Sequence, residues 1–160
     1  MNLHFSRFNF ALVFFVLCYV HTSGQGKINS SSISNKMQWF ADAKLGIFIH
    51  SGIYAVKGVD ESWSFYNRKI DYASYMEQLK SFTLSKYDPA QWAELIRESG
   101  ARYAVITTKH HDGVAMYDTK MNDLSVVKAT PAQRDMIRPF FDELRKRNIK
   151  CGAYYSLIDW

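Results

Sequence analysis

Three short apolar runs recur along the chain at intervals of roughly 50 residues. Residues 45–49 (LGIFI) are rich in Ile and Phe and lie between the polar Lys44 and His50. Residues 103–107 (YAVIT) and 151–155 (CGAYY) have the same character. Continuous runs of this kind are typical of strands that are buried on both faces of a sheet, so the sequence predicts three such strands.

A helix is predicted immediately before the second strand. Asp88 can cap its N-terminus, Pro89 fits the first helical position, and Gln91 completes the pattern of a capping box. Gly100 can end the helix, because glycine readily adopts the left-handed conformation found there. The apolar residues between these signals are expected to share one helical face: Trp92, Leu95 and Ile96.

A second helix is predicted between the second and third strands. Its apolar residues recur at helical spacing: Met136, Ile137, Phe140, Phe141 and Leu144. We place its start near Asp135, because Pro139 is tolerated in the first turn of a helix but not in its interior. Strands that alternate with helices in this way are typical of a parallel sheet wrapped by helices.

This order of elements predicts an α/β fold, namely the N-terminal portion of a (β/α)8 TIM-like barrel with about three βα units. The simplest dinucleotide-binding fold is excluded, because no Gly-x-Gly-x-x-Gly motif follows any predicted strand. A complete barrel needs about 250 residues. We therefore expect the chain of 160 residues to be truncated.

Residues 1–24 are expected to form an export signal. The apolar run 8–20 follows a basic residue and is too short for a bilayer span, which needs about 20 residues. Small and polar residues follow the run, so we place the cleavage near Gly24 and expect no stable membrane insertion. A lipid anchor at Cys18 is the alternative, although Leu17 precedes it where lipoprotein signals have a small residue.

Residues 25–36 then form a polar linker, and residues 37–160 form the folded part of the exported protein. Its destination would be the periplasm or the cell exterior, or the lysosome in a eukaryote. Removal of the signal leaves Cys151 as the one cysteine, which rules out an internal disulfide. Because Cys151 lies in an apolar strand pattern, we expect a buried and inert thiol.

The composition supports one globular domain, with 48% hydrophobic and 22% charged residues. The formal net charge of +5 comes from 20 Lys and Arg against 15 Asp and Glu. The longest basic run is the triplet at 145–147. This modest and unclustered excess of positive charge argues against a nucleic-acid partner.

Candidate chemistry lies just beyond the carboxyl ends of the predicted strands. His50 follows the first strand, and His110 and His111 follow the second. Tyr154 and Tyr155 lie near the end of the third. Parallel-barrel enzymes gather their active-site groups at this end, and such neutral donors, acceptors and aromatic faces suit a sugar. Taken singly, each residue also fits a side chain that hydrogen-bonds a loop carbonyl.

A zinc site is an alternative for residues 109–113 (KHHDG), where adjacent histidines precede an acid. Adjacent residues of an extended segment point to opposite sides, however. Metal-binding barrels usually place a His-x-His pair on the first strand, where this chain has His50-Ser51-Gly52. We therefore predict no metal and no cofactor.

The long segment 56–86 after the first strand is rich in aromatic residues. Trp63, beside Asp60 and Glu61, could stack on a sugar ring while the carboxylates accept hydrogen bonds from its hydroxyls. Four residues of the segment fit ordinary helix packing instead: Tyr72, Tyr75, Met76 and Leu79.

Four motifs carry a resemblance to a known family: residues 44–50 (KLGIFIH), 107–113 (TTKHHDG), 134–135 (RD) and 152–156 (GAYYS). In order and spacing they resemble the start of family 29 of the glycoside hydrolases, the α-L-fucosidases. The resemblance extends from about residue 37 to residue 160.

The resemblance implies a (β/α)8-like catalytic domain, usually followed by a β-sandwich. It implies exo-acting hydrolysis of terminal α-L-fucose from glycans or glycoconjugates, with retention of configuration and without a metal. Glu61 and Trp63 match the family's Glu-Trp loop, although Ser62 separates them here, and Ser51 stands where a Trp commonly follows the first-strand histidine. Four matching positions would line the fucose pocket: His50, His110, His111 and Tyr154.

The catalytic carboxylates are not expected in this chain. A retaining glycosidase needs two carboxyl groups about 5 Å apart. In the resembled family both come from beyond the position of Trp160, and Asp112 and Asp159 match neither. We therefore predict that the chain alone is inactive and name no catalytic residue. The alternatives are a non-catalytic sugar-binding module and a metal-dependent barrel hydrolase.

Overall fold

The computed structural model describes residues 35–160, and its sheet has three parallel strands in the order β1-β2-β3. These strands are β1 Gly46–Ile49, β2 Tyr103–Lys109 and β3 Lys150–Tyr155. The three predicted strands are thus confirmed, with β2 two residues longer than expected. The expected signal, Cys18 within it, and the linker as far as residue 34 lie outside the described residues.

Five α-helices accompany the sheet within residues 35–160. They are α1 Gln38–Ala43, α2 Trp63–Tyr66, α3 Tyr72–Met76, α4 Pro89–Glu98 and α5 Ile137–Lys146. Short 3-10 turns occupy Asn35–Met37, Ile53–Ala55 and Glu77–Ser81. Among these described helices, none is both long and apolar enough to cross a membrane.

Helix α4 begins and ends where its sequence signals predict. The Asp88 carboxylate accepts a hydrogen bond of 3.0 Å from the backbone N–H of Gln91, and Gly100 follows the last turn with a φ of +80°. Ala93 and Ile96 are buried, whereas Leu95 is 59% exposed. The expectation for Leu95 was wrong, because residues two positions apart face different sides of a helix and Ala93 belongs to the buried side.

Helix α5 starts two residues after Asp135, whose carboxylate caps it. One Asp135 oxygen accepts hydrogen bonds from the backbone N–H groups of Ile137 (2.7 Å) and Arg138 (2.9 Å). Pro139 is then the third helical residue, where no helical hydrogen bond is lost. The buried side of the helix holds Ile137, Phe140 and Leu144.

The core lies on one face of the sheet. Ala104 and Ile106 of β2 are fully buried there against α4 and α5. Residues in register share a face, so Phe48, Val105 and Gly152 form a row on the opposite face. Within this row Phe48 is 52% exposed. The expectation that all three strands are buried on both faces was therefore wrong.

Cys151 is a reduced and half-buried thiol on the covered face of β3. Its Sγ lies 3.6 Å from the backbone oxygen of Phe141, and burial raises the pKa of the thiol. A raised pKa favours the protonated thiol, as expected of an inert cysteine, whereas the expected full burial is only partial.

Candidate functional site

The sheet gathers the predicted site residues at the carboxyl ends of its strands. Ile49 pairs with Ile106 and Thr107 pairs with Tyr154, so His50 falls in the row of Thr107 and Tyr154. This row continues the face of the sheet that carries Phe48, Val105 and Gly152, because residues two apart on a strand lie on the same side. The parallel register alone therefore brings an imidazole and a phenol together, with ring centroids 6.2 Å apart.

His110 forms a triangle with these two rings. Its centroid is 5.1 Å from that of His50 and 6.1 Å from that of Tyr154, on which it stacks. The side chain is almost completely buried, and its Nδ1 is hydrogen-bonded to the hydroxyl of Ser62. Burial, helped by the neighbouring His50 and His111, lowers the pKa of His110 to about 4. The ring is therefore neutral at pH 7.

Glu61 reaches the same group from the loop before α2. One of its carboxylate oxygens lies 2.6 Å from Nδ1 of His50. Both side chains remain partly exposed to solvent. A carboxylate beside an imidazole fixes the ring's orientation and leaves its Nε2 for a ligand.

His111 and Trp63 belong to an adjoining aromatic group built around Trp160. The rings of His111 and Trp160 stack at 3.9 Å, nearly parallel, and Trp63 contacts Trp160 edge-on at 4.7 Å. His111 Nδ1 lies 2.6 Å from the backbone oxygen of Ile158. The His110 and His111 rings are 5.1 Å apart, so the two groups adjoin.

The two carboxylates near the strand ends both have partners within the chain. Asp112 is buried and accepts hydrogen bonds from the Tyr75 hydroxyl (2.6 Å) and the Val114 N–H (2.9 Å). Burial raises the pKa of Asp112, and the hydrogen bond from Tyr75 opposes that rise. Asp159 forms an ion pair with the buried Lys109. Both carboxylates therefore hold the histidine-bearing loop in place.

Tyr54 is a site residue that sequence reasoning missed. Its ring is buried with its centroid 5.6 Å from that of His50 and 6.1 Å from that of His110. Gly52 makes room for it, because a Cβ atom at Gly52 would lie 2.2 Å from Cε1 of Tyr54. The apolar run ends at Ile49, so no periodic pattern marked this tyrosine.

Two further residues of the site were also missed. In the sequence Ser62 only separates Glu61 from Trp63, yet its hydroxyl bonds to His110. Trp160 carries no motif, and its contacts with His111 and Trp63 arise from the course of the chain after β3. Within residues 35–160, no three or more His, Cys, Asp or Glu side chains are grouped so that they could hold a metal ion.

Fold and site together define an α/β protein with imidazole, carboxylate and aromatic groups at the carboxyl ends of parallel strands, an arrangement suited to a polyhydroxylated ligand. A family model described as alpha-L-fucosidase matches residues 16–160. The chain belongs to the alpha-L-fucosidase family, and the resemblance seen in its motifs is confirmed.

Curated relatives agree with the family assignment. Tissue alpha-L-fucosidase of Macaca fascicularis is 33% identical over 137 residues, which cover 76% of this chain and 29% of the relative. Plasma alpha-L-fucosidase of Homo sapiens is 31% identical over 139 residues, which cover 76% of this chain and 30% of the relative. The chain thus spans about three tenths of the length of these relatives.

Solved structures of fucosidases share this fold. Alpha-L-fucosidase isoenzyme 1 from Paenibacillus thiaminolyticus superposes with a TM-score of 0.73 at 40% identity, covering 79% of this chain and 30% of that one. An alpha-L-fucosidase from Lactobacillus casei in complex with its alpha-L-fucose product gives a TM-score of 0.72 at 34% identity, with 79% and 43% covered.

Proposed function

We propose that residues 37–160 form the first three βα units of a (β/α)8 barrel, which is the catalytic domain of an exo-acting, retaining α-L-fucosidase. The parallel three-stranded sheet and its helices support this proposal, as does the superposition on solved fucosidases. The row of Phe48, Val105 and Gly152 then corresponds to the interior face of the barrel. The substrate is a glycan or glycoconjugate that ends in α-L-fucose.

The site supplies the fucose-binding half of this activity. Aromatic rings offer flat faces to the sugar, and imidazole and carboxylate groups exchange hydrogen bonds with its hydroxyls. The residues assigned to this binding are His50, Glu61, Trp63, His110, His111 and Tyr154. The observation that carries the proposal is that His50, His110 and Tyr154, which lie at or just beyond the ends of three different strands, have ring centroids within about 6 Å of one another.

The chemical step is assigned to carboxylates outside this set. Asp112 and Asp159 are engaged with Tyr75 and Lys109, so neither is offered as nucleophile or acid/base. A retaining mechanism needs two such groups about 5 Å apart. We therefore expect fucose binding, and no turnover, from the 160-residue chain alone.

Two measurements on this chain test the proposal. Titration with L-fucose should quench or shift the tryptophan fluorescence, because Trp63 and Trp160 belong to the site, and a His110→Ala, His111→Ala variant should bind more weakly. A variant at a distant exposed pair, Glu77→Gln, serves as the control. An aryl α-L-fucoside should not be hydrolysed above the rate of the double variant. Absence of fucose binding to a folded chain would refute the assignment.

A non-catalytic sugar-binding module is the second candidate. The observation that favours it is that the described binding groups come together while Asp112 and Asp159 are held by structural partners. Sequencing the transcript through the codon for Trp160 separates the two candidates. A reading frame that continues into further strands with two carboxylates supports the enzyme, and an immediate stop codon supports the module.

We also propose that the protein is exported through the signal at residues 1–24. The support is the apolar run at 8–20 followed by small and polar residues. N-terminal sequencing of the protein recovered outside the cytoplasm should begin close to residue 25. Recovery of the intact N-terminus would contradict the proposal.

A further inference from the structure

Each of the three site histidines has its Nδ1 bound to a different kind of partner. His50 faces the Glu61 carboxylate at 2.6 Å, and His111 faces the backbone oxygen of Ile158 at 2.6 Å. The partner of His110 is the hydroxyl of Ser62. A carboxylate and a carbonyl only accept hydrogen bonds, whereas a hydroxyl can also donate.

The partners of His50 and His111 fix the tautomers of these two rings. An acceptor next to Nδ1 requires a proton on that nitrogen. In the neutral ring the other nitrogen, Nε2, then carries a lone pair. His50 and His111 therefore each present a hydrogen-bond acceptor at Nε2.

His110 has the opposite tautomer because of the burial of Ser62. The Ser62 side chain is completely buried, and within residues 35–160 the structure gives its hydroxyl one partner, His110 Nδ1. A buried donor without an acceptor costs more than an unfilled lone pair, so the hydroxyl donates to Nδ1. The proton of the neutral His110 ring then lies on Nε2, which makes Nε2 a donor.

We propose that Ser62 is a positioning residue that holds His110 in its Nε2–H form, so that the three histidines offer a ligand an acceptor, a donor and an acceptor. This use by a sugar rests on the proposed function, whereas the tautomers do not. A hydroxyl both donates and accepts. A sugar hydroxyl near both His50 and His110, whose centroids are 5.1 Å apart, would donate to His50 and accept from His110. The neutrality of His110 at pH 7, which follows from its burial, agrees with this role.

Nitrogen NMR of the 160-residue chain with 15N-labelled histidine tests the tautomers directly. At about pH 8, where an ordinary histidine is neutral, His110 should show a protonated Nε2 and an unprotonated, hydrogen-bonded Nδ1. His50 and His111 should show the reverse. A proton on Nδ1 of His110, or an unprotonated Nδ1 on His50 or His111, would overturn the proposal. This measurement on the unchanged chain decides the question even if every variant at Ser62 fails to fold.

Variants then isolate the role of Ser62. Ser62→Ala removes the donor, so the Nδ1 signal of His110 should move to that of a nitrogen without a hydrogen bond. The ratio of the Nε2–H to the Nδ1–H form of His110 should fall by about 2- to 10-fold, which corresponds to one neutral hydrogen bond. Ser62→Thr keeps a hydroxyl and should restore the signal. Ser64→Ala is the matched control, because Ser64 is equally buried but its hydroxyl donates to the backbone oxygen of Asp60. Equal effects of Ser62→Ala and Ser64→Ala would contradict a role specific to His110.

Titration with L-fucose connects the tautomers to binding. Fucose should perturb the Nε2 signals of His50 and His110 together, and Ser62→Ala should weaken binding by about 2- to 10-fold. Correct tautomers without fucose binding would refute the proposed function and leave the assignment to Ser62 intact. Fucose binding with His110 in the Nδ1–H form would refute the role of Ser62 and leave the proposed function intact.

Discussion

The hydrogen bond from Tyr75 to Asp112 should contribute more to stability than an equally buried bond to a neutral acceptor. Both groups are buried, and the bond is 2.6 Å long. A hydrogen bond to a charged group contributes about 1.5–3 kcal/mol to stability. The Tyr75→Phe variant keeps the ring and leaves the carboxylate with the Val114 N–H as its remaining partner. We therefore expect a loss of about 1.5–3 kcal/mol of unfolding free energy at pH 7.

Tyr87→Phe is the matched comparison. The Tyr87 hydroxyl is also buried and also donates at 2.6 Å, but its acceptor is the neutral backbone oxygen of Met136. A bond of this kind contributes about 0.5–1.5 kcal/mol. Tyr72→Phe is the second control, because Tyr72 lies on the same helix as Tyr75 and is about half exposed. It should change stability by less than about 0.5 kcal/mol.

The effect of Tyr75→Phe should also depend on pH. Burial raises the pKa of Asp112 in the folded protein. A group of this kind lowers the stability of the protein as the pH rises from the group's pKa in the unfolded state through its pKa in the folded state. Loss of the Tyr75 hydrogen bond raises the folded-state pKa of Asp112 further. The unfolding free energy lost through Tyr75→Phe therefore increases over this pH range and is largest above it. Urea unfolding at pH 7 and at about pH 3.5 measures both values. A penalty no larger than that of Tyr87→Phe, or one that increases towards acid pH, would refute the reasoning.

Three other changes test separate features of the fold and site. Asp88→Ala should cost about 0.5–2 kcal/mol of unfolding free energy by urea denaturation, because Asp88 caps α4; an unchanged midpoint would show that the cap is dispensable. Gly152→Ala should lower the unfolding free energy by about 1–3 kcal/mol, since the added Cβ would lie 2.8 Å from Val105 Cγ2. An unfolding temperature equal to that of the wild type would contradict this steric conflict. His110 should titrate by NMR with a pKa of about 4. Because this pKa is depressed, the stability that the neutral ring contributes is present above about pH 6.5 and is lost as the pH falls towards 4. A pKa near the ordinary value for histidine would contradict the burial of the ring.

Local signals in the sequence were sufficient to predict where the two helices that pack on the core begin and end. Asp88, Pro89 and Gly100 act within one or two turns of the residues they cap, so α4 could be placed from the sequence to the residue. Asp135 likewise marked the start of α5. Burial was harder to predict, because it depends on which face of the sheet a helix covers. The apolar run of β1 therefore did not predict that Phe48 is exposed.

The candidate site was predictable only as far as the strand ends. The order of strands and helices predicts a parallel sheet, and the carboxyl ends of its neighbouring strands, where His50, His110 and Tyr154 lie, meet at one edge. The partners of these residues come from elsewhere. Ser62 and Trp160 reach the histidines through the paths of two loops, and no periodic pattern encodes such paths.

The histidine pair is held by residues that would not touch a ligand. Asp112, two residues after His110, is tied to α3 through Tyr75, and Lys109, the residue before His110, is tied to Asp159. The backbone N–H of Trp160 donates to the backbone oxygen of His111 at 2.9 Å, which joins the end of the β2 loop to the segment after β3. The Thr-Thr-Lys-His-His-Asp-Gly motif therefore combines two kinds of residue, and its Lys and Asp act by fixing where the imidazoles stand. Loss of either anchor should weaken sugar binding through displacement of the histidines, with the imidazoles themselves unchanged.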